Sequence, residues 1–456
     1  MSLLTIASYV YGNAWGTKQT RMLFSDAFRV GEWLRILAVL AKCQAAHGLI
    51  PVAAANEIGR ACASVEVNTE VLESLRTDYE VSGHSTYGLL QLLKKRCNGD
   101  AAEWVCFGAT VQDVTDTWMM LTLKRTRQVI CDDLRRLHDS LLILCKAHRD
   151  TVMAGRTHGQ QGLPITFGYK VASWIAEVRR NMKRLEAYGA IGEVGQLSGA
   201  VGSLSGQGAK AFDIQTTFCV ELGLNVPDMS WGNSRDLILE WANVIALAVG
   251  TADRICREIY NLQRTEIDEL REGFVRGTVG SITMPHKRNP EMSEHVGTLS
   301  RIVRANVSML AEGAVHEHER DGRSWKVEWH AIPEIAMAAA KALMIVADLV
   351  EKLQVDSKRM QENLLSSRGY IFSEAVMIKL AAKMGRASAY KAVYDLSMQA
   401  RERQIHFKDA LLSSELILTF MSAAEIEELF NPNAHVAHCH SLVDRTLNNI
   451  TLSSHI

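Results

Sequence analysis

The densest polar stretch of the chain is Gly280-Ser281-Ile282-Thr283-Met284-Pro285-His286-Lys287-Arg288-Asn289-Pro290, a loop in which a serine lies a few residues from two cations and an amide. Such a loop suits a carboxylate. Serine is a poor base in water, so for Ser281 to abstract a proton, loop amides and a nearby cation must stabilise its alkoxide. A basic surface turn fits the same spacing. A second cluster, Gly155-Arg156-Thr157-His158-Gly159-Gln160-Gln161, falls just before Pro164, where the pattern predicts the start of a helix. There His158 would be placed to act as an acid or donor near anions, or to serve as a hydrogen-bonded structural histidine. A third cluster, Gly108-Ala109-Thr110-Val111-Gln112-Asp113-Val114-Thr115-Asp116-Thr117, opens a helix predicted to continue through Leu144, and Thr110 with its neighbouring amides would cap that helix or hold an anion.

Other dense runs carry less chemistry. His435, His438, Cys439 and His440 lack the second half of a zinc site, so no metal is expected. The alternating charges of His316-Glu317-His318-Glu319-Arg320-Asp321 suit an ion-pair network. The segment GSLSGQGAK lacks the spacing of a phosphate loop.

The elements that must position these clusters are long helices. None of the seven prolines lies between Pro51 and Pro164. Ile130, Leu134, Leu137, Leu141 and Leu144 recur in steps of four and three, the stripe of a bundle helix. Similar stripes predict helices over about Ile165–Tyr188, Leu237–Arg271, Met292–Val315 and Pro333–Leu353. Glycines gather instead at Gly192–Gly208 and Gly273–Gly280, which read as loops, either functional or permitting close helix approach. Strands are scarce. The expected division is a mostly helical N-terminal domain over 1–105, a central long-helix bundle over 106–355 and a C-terminal helical domain over 356–456. Long apolar stripes need neighbours, so a homo-oligomer is expected.

Composition narrows the class. The chain has 456 residues, 47% hydrophobic and 22% charged, enough for two or three globular domains. Lys and Arg total 50 against 51 Asp and Glu, so the net charge of −1 offers no large field to nucleic acid or an anionic membrane. Nine cysteines without a close CxxC pair suit reduced thiols in the cytoplasm. Even the apolar run from Ala331 to Val350 contains Glu334, Lys341 and Asp348, so no membrane span is expected. Met1–Tyr11 does not read as a secretory leader.

Taken together, the three clusters resemble the fumarase/aspartase superfamily, whose members cleave a C–N or C–O bond of a substituted succinate and usually release fumarate. GSITMPHKRNP is similar to its signature loop GSSxMPxKxN, and GRTHGQQGLPITFG and FGATVQDVTDT to its other two signature regions. RMLFSD, GLIP at Gly48–Pro51 and GYIFSEAV extend the resemblance over nearly the whole chain. It implies an all-α, three-domain fold around a central long-helix bundle, a homotetramer with active sites shared between subunits, a small dicarboxylate substrate, and no cofactor or metal. It also implies Ser281 as base, His158 as acid, and Lys287 and Asn289 as the groups that hold the carboxylate and stabilise its developing charge. The loop is then expected to close over the substrate. His84, Thr110, Gln112, Thr157, Arg235 and Arg320 match regions that contact substrate.

The MPHKRNP form resembles two branches, adenylosuccinate lyase and 3-carboxy-cis,cis-muconate cycloisomerase, and the chain mixes them. His84 and His158 follow the first branch. Trp325-Lys326-Val327-Glu328-Trp329 is similar to the WxxEW pattern of the second, and two tryptophans make a poor phosphate cradle. Val111, Ile282 and Ser234 replace a serine, a serine and a glutamine of the family pattern, which implies altered specificity. The expected reaction is anti-elimination of a nitrogen or oxygen leaving group from a succinate smaller than adenylosuccinate. Cycloisomerisation, a true adenylosuccinate lyase and a catalytically silent structural homologue are the alternatives.

Overall fold

A computed structural model describes residues 8, 10–274, 277 and 280–448. Val275, Arg276, Thr278 and Val279 of the glycine-rich loop and most of the Met1–Tyr11 segment lie outside the described residues. The fold is all-α, with 71% of the chain helical. The helices that matter most here are α1 (Asp26–Ala46), α2 (Val111–Ala147), α3 (Phe167–Ile191), α4 (Asp236–Leu262), α5 (Glu291–Gly313) and α6 (Gly322–Glu351). The leucine stripe of α2 is buried throughout: Ile130, Leu134, Leu137, Leu141 and Leu144 are at most 8% exposed.

Three predicted boundaries are corrected. Pro164 does not start a helix; it lies in β2 (Gln160–Thr166), which pairs antiparallel with β1 (Val152–Thr157), and α3 begins only at Phe167. The α4 helix stops at Leu262, short of the expected Arg271; the chain then turns back, the Glu269 N–H donating to the Leu262 carbonyl at 2.8 Å, and passes through Asp268 at φ 54° into β3 (Leu270–Arg271). That strand pairs with β4 (Gln354–Val355). Finally, α6 starts eleven residues before Pro333. Its start is set by Asp321, whose carboxylate accepts the N–H groups of Arg323 and Ser324 at 2.9 and 3.3 Å. Pro333 is carried inside the helix, where it forgoes one backbone bond.

The contacts divide the chain into two units. The first comprises Met1–Leu134, Asn181–Ala252 and His295–Ile345, and the second Arg135–Arg180, Asp253–Glu294 and Val346–Ile456. Within the first, the start of α2 is held against the glycine-rich segment. Gly108, at φ 64°, comes so close to Gly206 that a Cβ on it would sit 2.2 Å from the Gly206 carbonyl. The glycines therefore serve close approach at this point. Within the second, a C-terminal core gathers Val376, Leu380, Phe407, Leu411, Ile417 and Ile426, and Asp356 caps the helix Ser357–Leu365.

Candidate active site

In the second unit, the signature loop is closed at its base. Asn289 donates from Nδ2 to the Gly280 carbonyl at 2.9 Å, and a Cβ on Gly280 would meet the Lys287 carbonyl at 2.6 Å. Ser281 is thus brought beside the segment that carries Lys287 and Asn289. Its Oγ accepts the Met284 N–H at 3.1 Å, which folds the loop into a tight turn. Ser281 is half-buried and Lys287 exposed. Past the loop, the Glu272 carboxylate accepts the N–H groups of Met292 and Ser293 and the Ser293 hydroxyl at 3.1, 2.8 and 2.6 Å. An anion at the first turn of α5 meets donors that lack partners in the helix, so the loop ends on a fixed point.

The same unit sets His158 on the tip of the β1–β2 hairpin, and Thr157 beside it is also exposed. His158 and Gly159 have φ values of 53° and 75°, the two left-handed residues of a tight hairpin turn. The hairpin is anchored by Arg156, which makes a two-pronged ion pair with Glu269 at 2.6 and 2.9 Å. Glu269 is fully buried and also accepts from Asn363 Nδ2 at 2.9 Å. This anchor was not singled out from the sequence.

In the first unit lie His84, Thr110, Gln112, Arg235 and Arg320. His84 is exposed, and exposed Arg320 donates to the Thr110 hydroxyl at 3.1 Å. The expected capping role of Thr110 is turned around, for its own N–H donates to Asp113 at 2.8 Å. Asp113 also accepts the N–H groups of Ser198 and Gly199. Burial pushes its carboxyl up to about 6, against the lowering effect of those three amides. Gln112 is buried and donates to the Gly232 carbonyl at 2.7 Å.

Arg235 is 2% exposed, and all five of its N–H donors face protein acceptors: two go to Asp116, two to Glu328 and one to the Trp231 carbonyl. Burial would lower its pKa, but the two carboxylates outweigh that and raise it. Trp325 Nε1 completes the network by donating to Asp116 at 3.2 Å. The WxxEW pattern thus supplies Trp325 and Glu328 to an ionic cluster that fixes the starts of α2, α4 and α6. As placed, Arg235 positions backbone and has no donor left for a ligand. The structure therefore brings Ser281, Lys287 and Asn289 together in one loop and Thr110 with Arg320 in another cluster.

A helical fold of this kind, with three glycine-marked loops at the ends of long helices, defines a class. Residues 14–304 match the model of the lyase family, and residues 369–446 match the model for the adenylosuccinate lyase C-terminus. The chain belongs to the fumarase/aspartase superfamily of lyases. It is 36% identical to the N-acetyl-S-(2-succino)cysteine lyase of Enterococcus italicus, over 95% of each chain. It is 31% identical to the 3-carboxy-cis,cis-muconate cycloisomerase of Acinetobacter baylyi, over 96% of this chain and 98% of that one. Among solved structures, the fumarate lyase from Mesorhizobium sp. BNC1 matches with a TM-score of 0.88 at 31% identity, covering 96% of this chain and 99% of its own. Among the described residues, no group of His, Cys, Asp and Glu could hold a metal ion, and no helix is long and apolar enough to cross a membrane.

Proposed function

We propose that this protein releases fumarate by breaking the carbon–sulfur bond of an S-(2-succino) thioether. The observation that carries the reading is the 36% identity, end to end, with a lyase whose name describes succinate joined to cysteine through sulfur. Sulfur then takes the place of the nitrogen or oxygen leaving atom expected from the sequence.

In this mechanism Ser281 takes a proton from the carbon next to one carboxylate. The electron pair left behind forms the double bond of fumarate, and the pair of the C–S bond departs with sulfur. Lys287 and Asn289 stabilise the aci-carboxylate that forms as the proton leaves, and the closed base of the loop supports their placement beside Ser281. His158 supplies a proton to the departing sulfur. A thiol has a pKa of about 8.5, far below that of an alcohol, so a thiolate leaves with little help and asks less of an acid. An exposed histidine on a turn fits that light duty. Arg320, Thr110, His84 and Thr157 are assigned to substrate carboxylates and leaving group, and Gln112 and Arg235 to positioning. No cofactor enters the scheme. The assembly is proposed as a cytoplasmic homotetramer with shared sites, a compartment supported by nine free thiols.

Cycloisomerisation of 3-carboxy-cis,cis-muconate is the second reading, favoured by the Trp325-x-x-Glu328-Trp329 pattern and by the A. baylyi relative. The test is to follow fumarate by its ultraviolet absorbance when purified protein is offered N-acetyl-S-(2-succino)cysteine, S-(2-succino)cysteine, N-substituted aspartates, adenylosuccinate and the muconate. Fumarate with free thiol from a succino-thioether supports the proposal. Consumption of the muconate alone, with a lactone formed, overturns it.

A further inference from the structure

The tip of the β1–β2 hairpin is held from both of its strands just below the turn. Arg156 and Gln161 are partners across the hairpin, each two residues from the His158-Gly159 turn. Arg156 donates to both oxygens of Glu269, at 2.9 and 2.6 Å, and Gln161 donates from Nε2 to the Asn363 carbonyl at 2.9 Å. Asn363 in turn donates from Nδ2 to the Glu269 carboxylate at 2.9 Å and to the Ile267 carbonyl at 2.7 Å. The four residues close a ring beneath His158.

That ring is fixed to the rest of the second unit. The Glu269 N–H donates to the Leu262 carbonyl at 2.8 Å, its own carbonyl accepts the Asp356 N–H at 3.0 Å, and Asn363 lies on the helix Ser357–Leu365. The Glu269 side chain is fully buried and that of Arg156 nearly so, at 16% exposed. A buried ion pair adds little stability over an apolar pair of the same volume, so its presence is better explained by geometry: two parallel N–H···O bonds admit one orientation. The hairpin needs such a hold. Its ladder is irregular between Ala154 and Arg156, and a two-stranded hairpin by itself is marginally stable.

We propose that Glu269 is a positioning residue for His158: through Arg156 and Asn363 it fixes the hairpin tip that carries the acid. The inference rests on the acid role given to His158 in the proposed function. Glu269 itself is buried below the tip and meets no substrate. A misplacement of about 1 Å can cost about a hundredfold in rate, and here it would fall on the proton delivered to the leaving atom. Turnover therefore suffers while substrate binding does not.

The experiment is a double-mutant cycle on the full-length protein, with kcat and KM measured on a succino-thioether and on its N-linked analogue, an N-substituted aspartate. Glu269→Gln and Arg156→Lys should each lower kcat on the aspartate at least about tenfold with KM within about twofold, and on the thioether at most about threefold, because a thiolate leaves with less help. Added to His158→Gln, either change should cost less than about a further twofold. Arg156→Lys keeps a cation beside Glu269, so it remains informative if Glu269→Gln fails to fold, and circular dichroism checks both. Equal losses on the two substrates, or losses that multiply with that of His158→Gln, would overturn the positioning role. If the aspartate is consumed and the thioether is not, the carbon–sulfur reading fails alone, and the cycle on the aspartate still decides the role of Glu269. A His158→Gln variant with normal turnover on every substrate consumed would overturn both the acid and its anchor.

Discussion

Replacing Arg235 by methionine keeps the length of the side chain and strips the charge from the centre of the first unit. The guanidinium makes five hydrogen bonds to Asp116, Glu328 and the Trp231 carbonyl. Its side chain is 1% exposed and the two carboxylates are 2% exposed each, so no solvent compensates when it is gone. Removing one partner of a buried ion pair typically costs about 3–5 kcal/mol, chiefly for the charge left behind. Here two like charges are left. The sign of the pH effect follows from linkage. Without Arg235, burial and mutual repulsion raise the folded-state pKa of the carboxyl pair above the unfolded range near 4. Stability is then fully present below about pH 4 and lost as pH rises through the raised value. The variant should therefore unfold at clearly lower urea than the parent near neutral pH, and the gap should narrow near pH 5. The triple variant Asp116→Asn, Arg235→Met, Glu328→Gln, with every charge removed, should regain most of the loss. Urea titrations followed by circular dichroism at fixed protein concentration decide the matter. A gap that is absent, or that is equal at both pH values, would refute the reasoning.

Four further outcomes are expected. Ser281→Ala should lower turnover of the succino-thioether about a hundred- to ten-thousand-fold with KM little changed; normal turnover would remove Ser281 as the base. His158→Gln should cost less on a thioether than on the N-linked analogue, and equal losses in kcat/KM on both would show that the acid does not act on the leaving atom. Gly108→Ala should destabilise by about 2 kcal/mol or more in thermal unfolding, since its Cβ would fall 2.2 Å from the Gly206 carbonyl at a positive φ. Asp113, raised by burial to about 6, contributes stability below about pH 4 that is lost as pH rises through about 6. That amounts to about 3 kcal/mol. Asp113→Asn should flatten the stability profile across that window, and an unchanged profile would assign the titration elsewhere.

What the sequence made legible is what is local. The α2 stripe repeats every three or four residues, and its burial follows from that period alone. The three polar clusters could be picked out because glycine, proline and charged residues crowd together within about ten positions. Two local signals pointed the wrong way. Pro164 and Pro333 read as helix starts, yet one lies in a strand and the other eleven residues into a helix. The His158-Gly159 pair, two residues between short strands, was the better signal for the hairpin.

What stayed hidden is what is distant. Arg235 lies 119 residues from Asp116 and 93 from Glu328, and Arg156 lies 113 from Glu269. Nothing in spacing announces such partners. A lone arginine in a polar loop reads as a ligand contact, and only burial with every donor satisfied shows it holding helix ends in place. In the WxxEW pattern, Glu328 is spent on Arg235 and Trp325 donates to Asp116. Their side chains thus serve the ionic cluster that sets α2 and α6, while exposed Arg320 and half-buried Thr110 pair with each other just before those helices begin. At the level of contacts, Trp325 and Glu328 of that pattern hold the first turns of α2 and α6, while Trp329 is 37% exposed.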